Sequence, residues 1–208
     1  MAIVIEPLPN GPYLVKKLET LTNSKGAILE TKEVLALCRC GCSTAKPFCT
    51  GTHKVVGFDS ARLTDGSLDR REDYEGDGIT IHDNRGICAH AGFCTDNLRE
   101  VWRLRQEPWI EPRGAAVTEI AAVVRMCPSG ALSYSTGGVE HRDQERAPAI
   151  LVSKNGPYFV TGGIELVGAT WGEGASREHY ALCRCGQSKN KPFCDGSHWA
   201  AEFDDPVN

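Results

Sequence analysis

A spacing of metal-ligand residues that occurs twice constrains this chain more than any other feature. Cys183 to His198 reads CRCGQSKNKPFCDGSH, and Cys38 to His53 reads CRCGCSTAKPFCTGTH. Both follow Cys-x-Cys-x8-Cys-x3-His, which gathers three thiols and one imidazole into a short loop. A lone cysteine or histidine has many ordinary explanations, but four ligand types at one spacing in two places have few. The chain is expected to bind metal twice, through Cys38, Cys40, Cys49 and His53 and through Cys183, Cys185, Cys194 and His198.

Matched positions all differ by 145 residues. Asn10-Gly11-Pro12-Tyr13 answers Asn155-Gly156-Pro157-Tyr158, Val15 answers Val160, Leu37 answers Leu182, and Phe58-Asp59 answers Phe203-Asp204. Such register marks a structural unit of about 55 residues duplicated within the chain. A unit that small rarely buries enough apolar surface to stand alone. The copies are therefore expected to pack about a pseudo-two-fold axis, as a monomer with a built-in dimer.

With 208 residues, 41% hydrophobic and 24% charged, the composition is that of a globular chain of one or two domains. No apolar run approaches the ~18 residues of a membrane span, and the N-terminus carries an early Glu6 instead of a basic leader. A soluble, unexported, cytoplasmic protein is expected. The net charge of −4 opposes a dedicated nucleic-acid binder, which needs clustered positive charge. Ten cysteines would suggest disulfides in a secreted protein, but here they cluster, and each repeated cluster ends in a histidine that a disulfide does not need.

Within the loops, Pro47 and Pro192 fix the backbone ahead of the third cysteine, and Gly51 and Gly196 permit a turn or close approach. Asp195 is a candidate cap for a helix beginning near His198. Three Cys and one His also form a structural zinc set, although zinc fingers pair their ligands two and two across a longer separation. Spacing alone leaves zinc and an iron–sulfur cluster both open.

The second copy resembles the CDGSH iron–sulfur domain family, the mitoNEET-like proteins. It matches C-x-C-x2-S/T-x3-P-x-C-D-G-S/A/T-H at every defined position, from Cys183, Cys185 and Ser188 through Pro192 and Cys194 to His198. The first copy keeps Cys38, Cys40, Ser43, Pro47, Cys49, Gly51 and His53 but has Thr50 for Asp and Thr52 for Ser. The resemblance implies one [2Fe–2S] cluster per copy. It assigns Cys38-Cys40 and Cys183-Cys185 to the inner irons, and Cys49-His53 and Cys194-His198 to the outer ones. Neutral imidazole in place of thiolate removes negative charge and raises the reduction potential. Because histidine titrates near neutrality, acid should loosen such a cluster.

Between the copies, Cys88-Ala89-His90-Ala91-Gly92-Phe93-Cys94 precedes a distant Cys127-Pro128. A bacterial ferredoxin run is C-x2-C-x2-C with a remote C-P, and here Ala91 stands where the middle cysteine would be. The segment resembles divergent monocluster ferredoxins in its ICxHxGxC, PWI and CPSGAL patterns, found at Ile87 to Cys94, Pro108 to Ile110 and Cys127 to Leu132. The thiolates of Cys88, Cys94 and Cys127 match a [3Fe–4S] cluster, and His90 as a fourth ligand would make it [4Fe–4S]. The plain alternative is that these cysteines pack as small hydrophobes.

Short strands are expected around Tyr13–Lys16, Glu33–Leu37, Ala149–Val152 and His179–Leu182, and a helix over 117–125 capped by Thr118. Residues 64–77 and 135–148 read as polar boundaries. The organisation is α+β: a CDGSH-type unit over 1–66, a ferredoxin-like segment over 75–140 and a second CDGSH-type unit over 148–208. Cys42, which Gln187 replaces in the second copy, reads as a spectator thiol. His82 and His141 read as surface or turn histidines, and Trp102, Trp109, Trp171 and Trp199 as packing residues. Arg39 and Arg184 fit either surface salt bridges or offset of cluster charge. With no nucleophile–base pair or nucleotide loop in sight, a non-enzymatic electron carrier or cluster donor is expected, its partner a redox protein or an apo-protein. A redox- or pH-sensing or structural metalloprotein is the alternative.

Overall fold

A computed structural model of the chain describes residues 2–67, 69–206 and 208; Met1, Leu68 and Val207 lie outside the described residues. The first copy contributes β1 (Val4–Pro7), β2 (Tyr13–Lys16), β3 (Leu21–Asn23) and β4 (Val34–Leu37). The middle segment contributes β5 (Arg71–Glu75), β6 (Thr80–Asn84), helices α1 (Phe93–Asn97) and α2 (Val117–Val124), β7 (Leu132–Thr136) and β8 (Val139–His141). The second copy returns β9 (Ala149–Val152), β10 (Tyr158–Thr161), β11 (Glu165–Leu166) and β12 (Tyr180–Leu182), and closes on α3 (Ser197–Ala200).

The copies exchange strands. One sheet runs β11-β1-β2-β4 and the other β12-β10-β9-β3, so each borrows its parallel edge from the opposite copy. Alternation in β2 and β10 turns Tyr13, Val15, Tyr158 and Val160 inward, each fully buried. They meet in one core shared by both copies, with Ile5, Leu37, Ile150 and Leu182. The two tyrosines cross, ring to ring at 6.1 Å and edge-on. Tyr13 donates to the carbonyls of Cys183 and Pro192 at 3.0 and 2.9 Å, and Tyr158 to those of Cys38 and Pro47 at 2.9 and 3.1 Å. Each copy thus buttresses the other's cysteine loop, and the expected pseudo-two-fold pairing is observed.

The third sheet, β5-β6-β7-β8, is antiparallel and packs with α2 around Trp102, Ile110 and Ile120, all fully buried. Several local expectations change here. Part of the polar 64–77 stretch is β5, whose charged residues suit an edge strand with one solvated face, and β8 lies within 135–148. Helix α2 begins after Ala116, with Glu119 accepting the Ala116 N–H at 3.0 Å, so Thr118 sits inside the helix and is not its cap. His82 is buried at 4% exposure because β6 is an inner strand; its ring nitrogens lie 2.7 Å from Asp73 Oδ1 and Ser135 Oγ. Trp199, in contrast, is 66% exposed. Among the described residues, no helix is long and apolar enough to cross a membrane.

Candidate metal centres

The far end of each repeated loop is tied back to the end of the strand that precedes it. Cys38 and Cys183 donate their N–H groups to Pro47 and Pro192, and Cys49 and Cys194 donate theirs to Ala36 and Ala181. The four donors of each set therefore lie in two pairs. Cys38 Sγ is 3.8 Å from Cys40 Sγ, and Cys49 Sγ is 3.4 Å from His53 Nδ1. The second copy repeats both distances, 3.8 Å for Cys183–Cys185 and 3.4 Å for Cys194–His198. Among the described residues, no group of three His, Cys, Asp or Glu side chains converges as a single ion requires.

Backbone amides are aimed at the sulfurs. Gly51 and Gly196 donate to Cys49 and Cys194 at 3.4 Å, and Gln187 donates to Cys185 at the same distance. Donors of this kind stabilise anionic sulfur. Burial pushes the Cys40 thiol up to about 12 and the Cys194 thiol further. Metal must therefore displace protons to bind. Burial and the neighbouring His90 hold His198 below the usual imidazole range, against the pull of Asp195.

The two loops differ where their sequences differ. In the second, Asp195 accepts from Lys189 N at 2.8 Å and from Ser197 N and Oγ at 3.0 and 2.6 Å, tying the loop to the first turn of α3, whose formal cap position is Gly196. In the first, Thr50 shares hydroxyl contacts with Ser43 and Thr52 at 3.2 and 2.8 Å. Cys194 and His198 are buried, whereas Cys49 and His53 are half-buried. Cys42 is exposed, its thiol directed to the Cys40 carbonyl.

The loops meet along the pseudo-axis. A Cβ on Gly41 would lie 2.7 Å from the Cys185 carbonyl oxygen, and one on Gly186 the same distance from that of Cys40. Only glycine permits this approach. Arg184 is not a surface residue: it is 1% exposed, paired with Asp205, and bonded to the Gly156 and Ser153 carbonyls. Asp205 carried no motif; its one sequence signal was a mismatch with Ser60 in the repeat register.

In the middle segment, Cys88, Cys94 and Cys127 line one cavity of about 220 Å³ together with Asp83, His90 and Trp109. Burial raises Cys88 to about 12, opposed by Arg85, and Cys94 to about 11. Arg85 Nη1 and the His90 N–H point at Cys88 sulfur, 3.8 and 3.4 Å away, and Ser129 Oγ lies 3.7 Å from Cys127 Sγ. His90 has both ring nitrogens occupied, by the Cys88 carbonyl at 3.0 Å and Arg85 at 3.2 Å.

This cavity adjoins the second loop. Ala89 packs on Ala181 and Cys194, and Trp199 Nε1 donates to the His90 carbonyl at 3.1 Å.

Comparison with known proteins agrees with this layout. Residues 10–54 and 155–199 match the family described as iron-binding zinc finger CDGSH type, and residues 74–137 match the family described as divergent 4Fe-4S mono-cluster. The chain is 38% identical over 61 residues to uncharacterized protein YjdI of Escherichia coli K12, which covers 29% of this chain and 80% of that protein. The same figures hold for YjdI of Escherichia coli O157:H7. No solved structure matches.

Proposed function

From its membership of the CDGSH-type iron–sulfur family, with two family domains flanking a divergent 4Fe-4S mono-cluster domain, we propose that this chain carries three redox centres and works in electron transfer. Two are [2Fe–2S] clusters, one held by Cys38, Cys40, Cys49 and His53, the other by Cys183, Cys185, Cys194 and His198. A third is held by Cys88, Cys94 and Cys127. The domains are those at 1–66, 75–140 and 148–208. The observation that carries the reading is the pairing of donors at 3.8 and 3.4 Å, repeated in both loops, which suits two irons better than one zinc.

Groups of this kind supply one-electron chemistry when bound. The chain's own residues bind, orient and shield. Tyr13 and Tyr158 lock each loop through the other copy, and the Ala89–Cys194 contact sets the middle site beside the second. Half-buried Cys49 and His53 make the first site the one open to a partner, a redox protein or an apo-protein acceptor of the cluster. Their exposure is also what favours the second reading, cluster transfer.

Anaerobic purification followed by iron, acid-labile sulfide and zinc analysis, with EPR before and after reduction, tests the proposal. Iron and sulfide with reduced-state EPR signals are expected; colourless, zinc-loaded protein would overturn it.

A further inference from the structure

The inward face of β6 holds one residue that does not suit a core. Ile81 points into the middle core and is fully buried; two residues on, the pleat sends Asp83 the same way, and it is 2% exposed. Its neighbours on the opposite face are satisfied. His82 contacts Asp73 and Ser135, and Asn84 donates to Asp69 and to the Glu173 carbonyl. Among the described residues, neither carboxylate oxygen of Asp83 has a partner at hydrogen-bond geometry; the Trp109 indole N–H across the same cavity is near enough to favour the ionised carboxylate but does not meet it at that geometry. A buried carboxyl group without a well-placed partner is costly to keep in a core, which points to a ligand.

The ligand is implied by the cavity. Asp83 lines it with Cys88, Cys94 and Cys127, three thiols where a four-iron cluster asks for four protein donors. His90, the other candidate, has both ring nitrogens taken by the Cys88 carbonyl and Arg85. We propose that the Asp83 carboxylate is the fourth ligand of a [4Fe–4S] cluster in the middle domain. The inference deepens the reading that this domain holds a cluster, and depends on it.

On binding, the carboxyl group releases its proton to solvent and one oxygen coordinates iron, with no change of oxidation state. Burial, outweighing nearby Arg85 and Trp109, disfavours the bare carboxylate, and an iron beside it would supply the missing counter-charge. Carboxylate is a harder donor than thiolate. The iron at Asp83 would accordingly be the first to leave: an added one-electron oxidant such as ferricyanide would take one electron from the [4Fe–4S]2+ centre, which would release Fe2+ and remain as [3Fe–4S]+.

The test uses full-length protein reconstituted anaerobically with ferrous iron and sulfide. Asp83→Asn should lose one iron per chain, keep its sulfide and acquire the oxidised-state EPR signal of a three-iron cluster. Asp83→Cys should keep the iron and lower that centre's potential. His90→Ala should match the wild type. Unchanged iron and EPR in Asp83→Asn, loss of the iron in His90→Ala instead, or an unmoved potential in Asp83→Cys would each overturn the assignment. Cys94→Ala, which leaves no donor atom at that position, separates this from failure of the underlying reading: if it leaves total iron and sulfide unchanged, the middle domain holds no cluster at all. Visible absorbance from the two flanking sites reports folding in every variant, and Asp83→Cys keeps the proposal testable if Asp83→Asn does not fold.

Discussion

Arg184 closes a buried ion pair on Asp205, and its repeat counterpart Arg39 finds Ser60 in the place of that carboxylate. The framework around each is the same: Asn155 Oδ1 accepts the Asp205 N–H at 2.9 Å as Asn10 Oδ1 accepts the Ser60 N–H at 2.9 Å. Arg39 is 4% exposed with its Nε unpartnered among the described residues. Each arginine lies between two candidate ligands, and among the described residues Arg184 has a carboxylate partner while Arg39 has none, so the first site should feel the more positive field. Ser60→Asp should lower the first site's reduction potential towards the second's. Asp205→Ser should raise the second's and destabilise the fold by about 3–5 kcal/mol, the cost of stranding a buried charge. Potentiometric titration and denaturant unfolding read the two effects.

Exchanging imidazole for thiolate adds negative charge at a site. His198→Cys and His53→Cys should each lower the potential of their own centre and slow its bleaching in mildly acidic buffer. The change should be larger for His53, whose exposure lets protons and solvent reach it. Equal bleaching of wild type and variant would remove that histidine from the ligand set.

Gly51 and Gly196 occupy the same left-handed turn, at φ +83° and +84°. Alanine at either position pays backbone strain of about 1–2 kcal/mol. A Cβ on Gly51 meets nothing within 4 Å, whereas one on Gly196 would lie 2.3 Å from His90 Nδ1. Gly196→Ala should therefore cost distinctly more in thermal unfolding and loosen the docking of the middle domain. Matching losses would deny the His90 contact.

Glu178 ties the 142–148 segment to the second copy. Burial opposes its ionisation, but Arg146, bonded at 3.0 and 2.5 Å, and the Gly162 N–H hold it down to about 2 from an ordinary 4.5. With the folded value depressed, the stabilisation is full above pH 4.5 and is lost as pH falls towards 2. Glu178→Gln should cost about 1–3 kcal/mol at neutral pH and flatten the acid limb of the stability curve. Chemical denaturation of both proteins across that range, taken as a difference so that acid loss of metal cancels, checks it.

The repeated Cys3His loops and their family were legible because coordination chemistry restricts both residue type and spacing, and the 145-residue register made the duplication plain. Strands β2, β4, β9 and β12 followed from short apolar runs set between turn residues. What escaped was pairing at a distance. No local pattern tells Glu165 and Leu166 to lie beside Val4 and Ile5, since that choice is settled by which edge remains open once both copies dock. Asp83 escaped for a different reason. Its position two after Ile81 already placed it inward, but whether a carboxylate there has partners depends on side chains from elsewhere in the fold. The burial of His82 and the exposure of Trp199 show the same limit.

Strand exchange also has a consequence for biosynthesis. During synthesis the first copy emerges lacking the edge strand that β11 will supply and the Tyr158 hydroxyl that will brace its cysteine loop. Tyr158 lies 92 residues beyond the end of that copy, at 66, and Glu165 lies 99 beyond it. Until then β1 presents an unpaired edge, the kind of surface that invites chaperones or wrong partners. A chain cut short before β11 therefore lacks both the strand that closes the first sheet and, if cut before Tyr158, the hydroxyl that braces its cysteine loop.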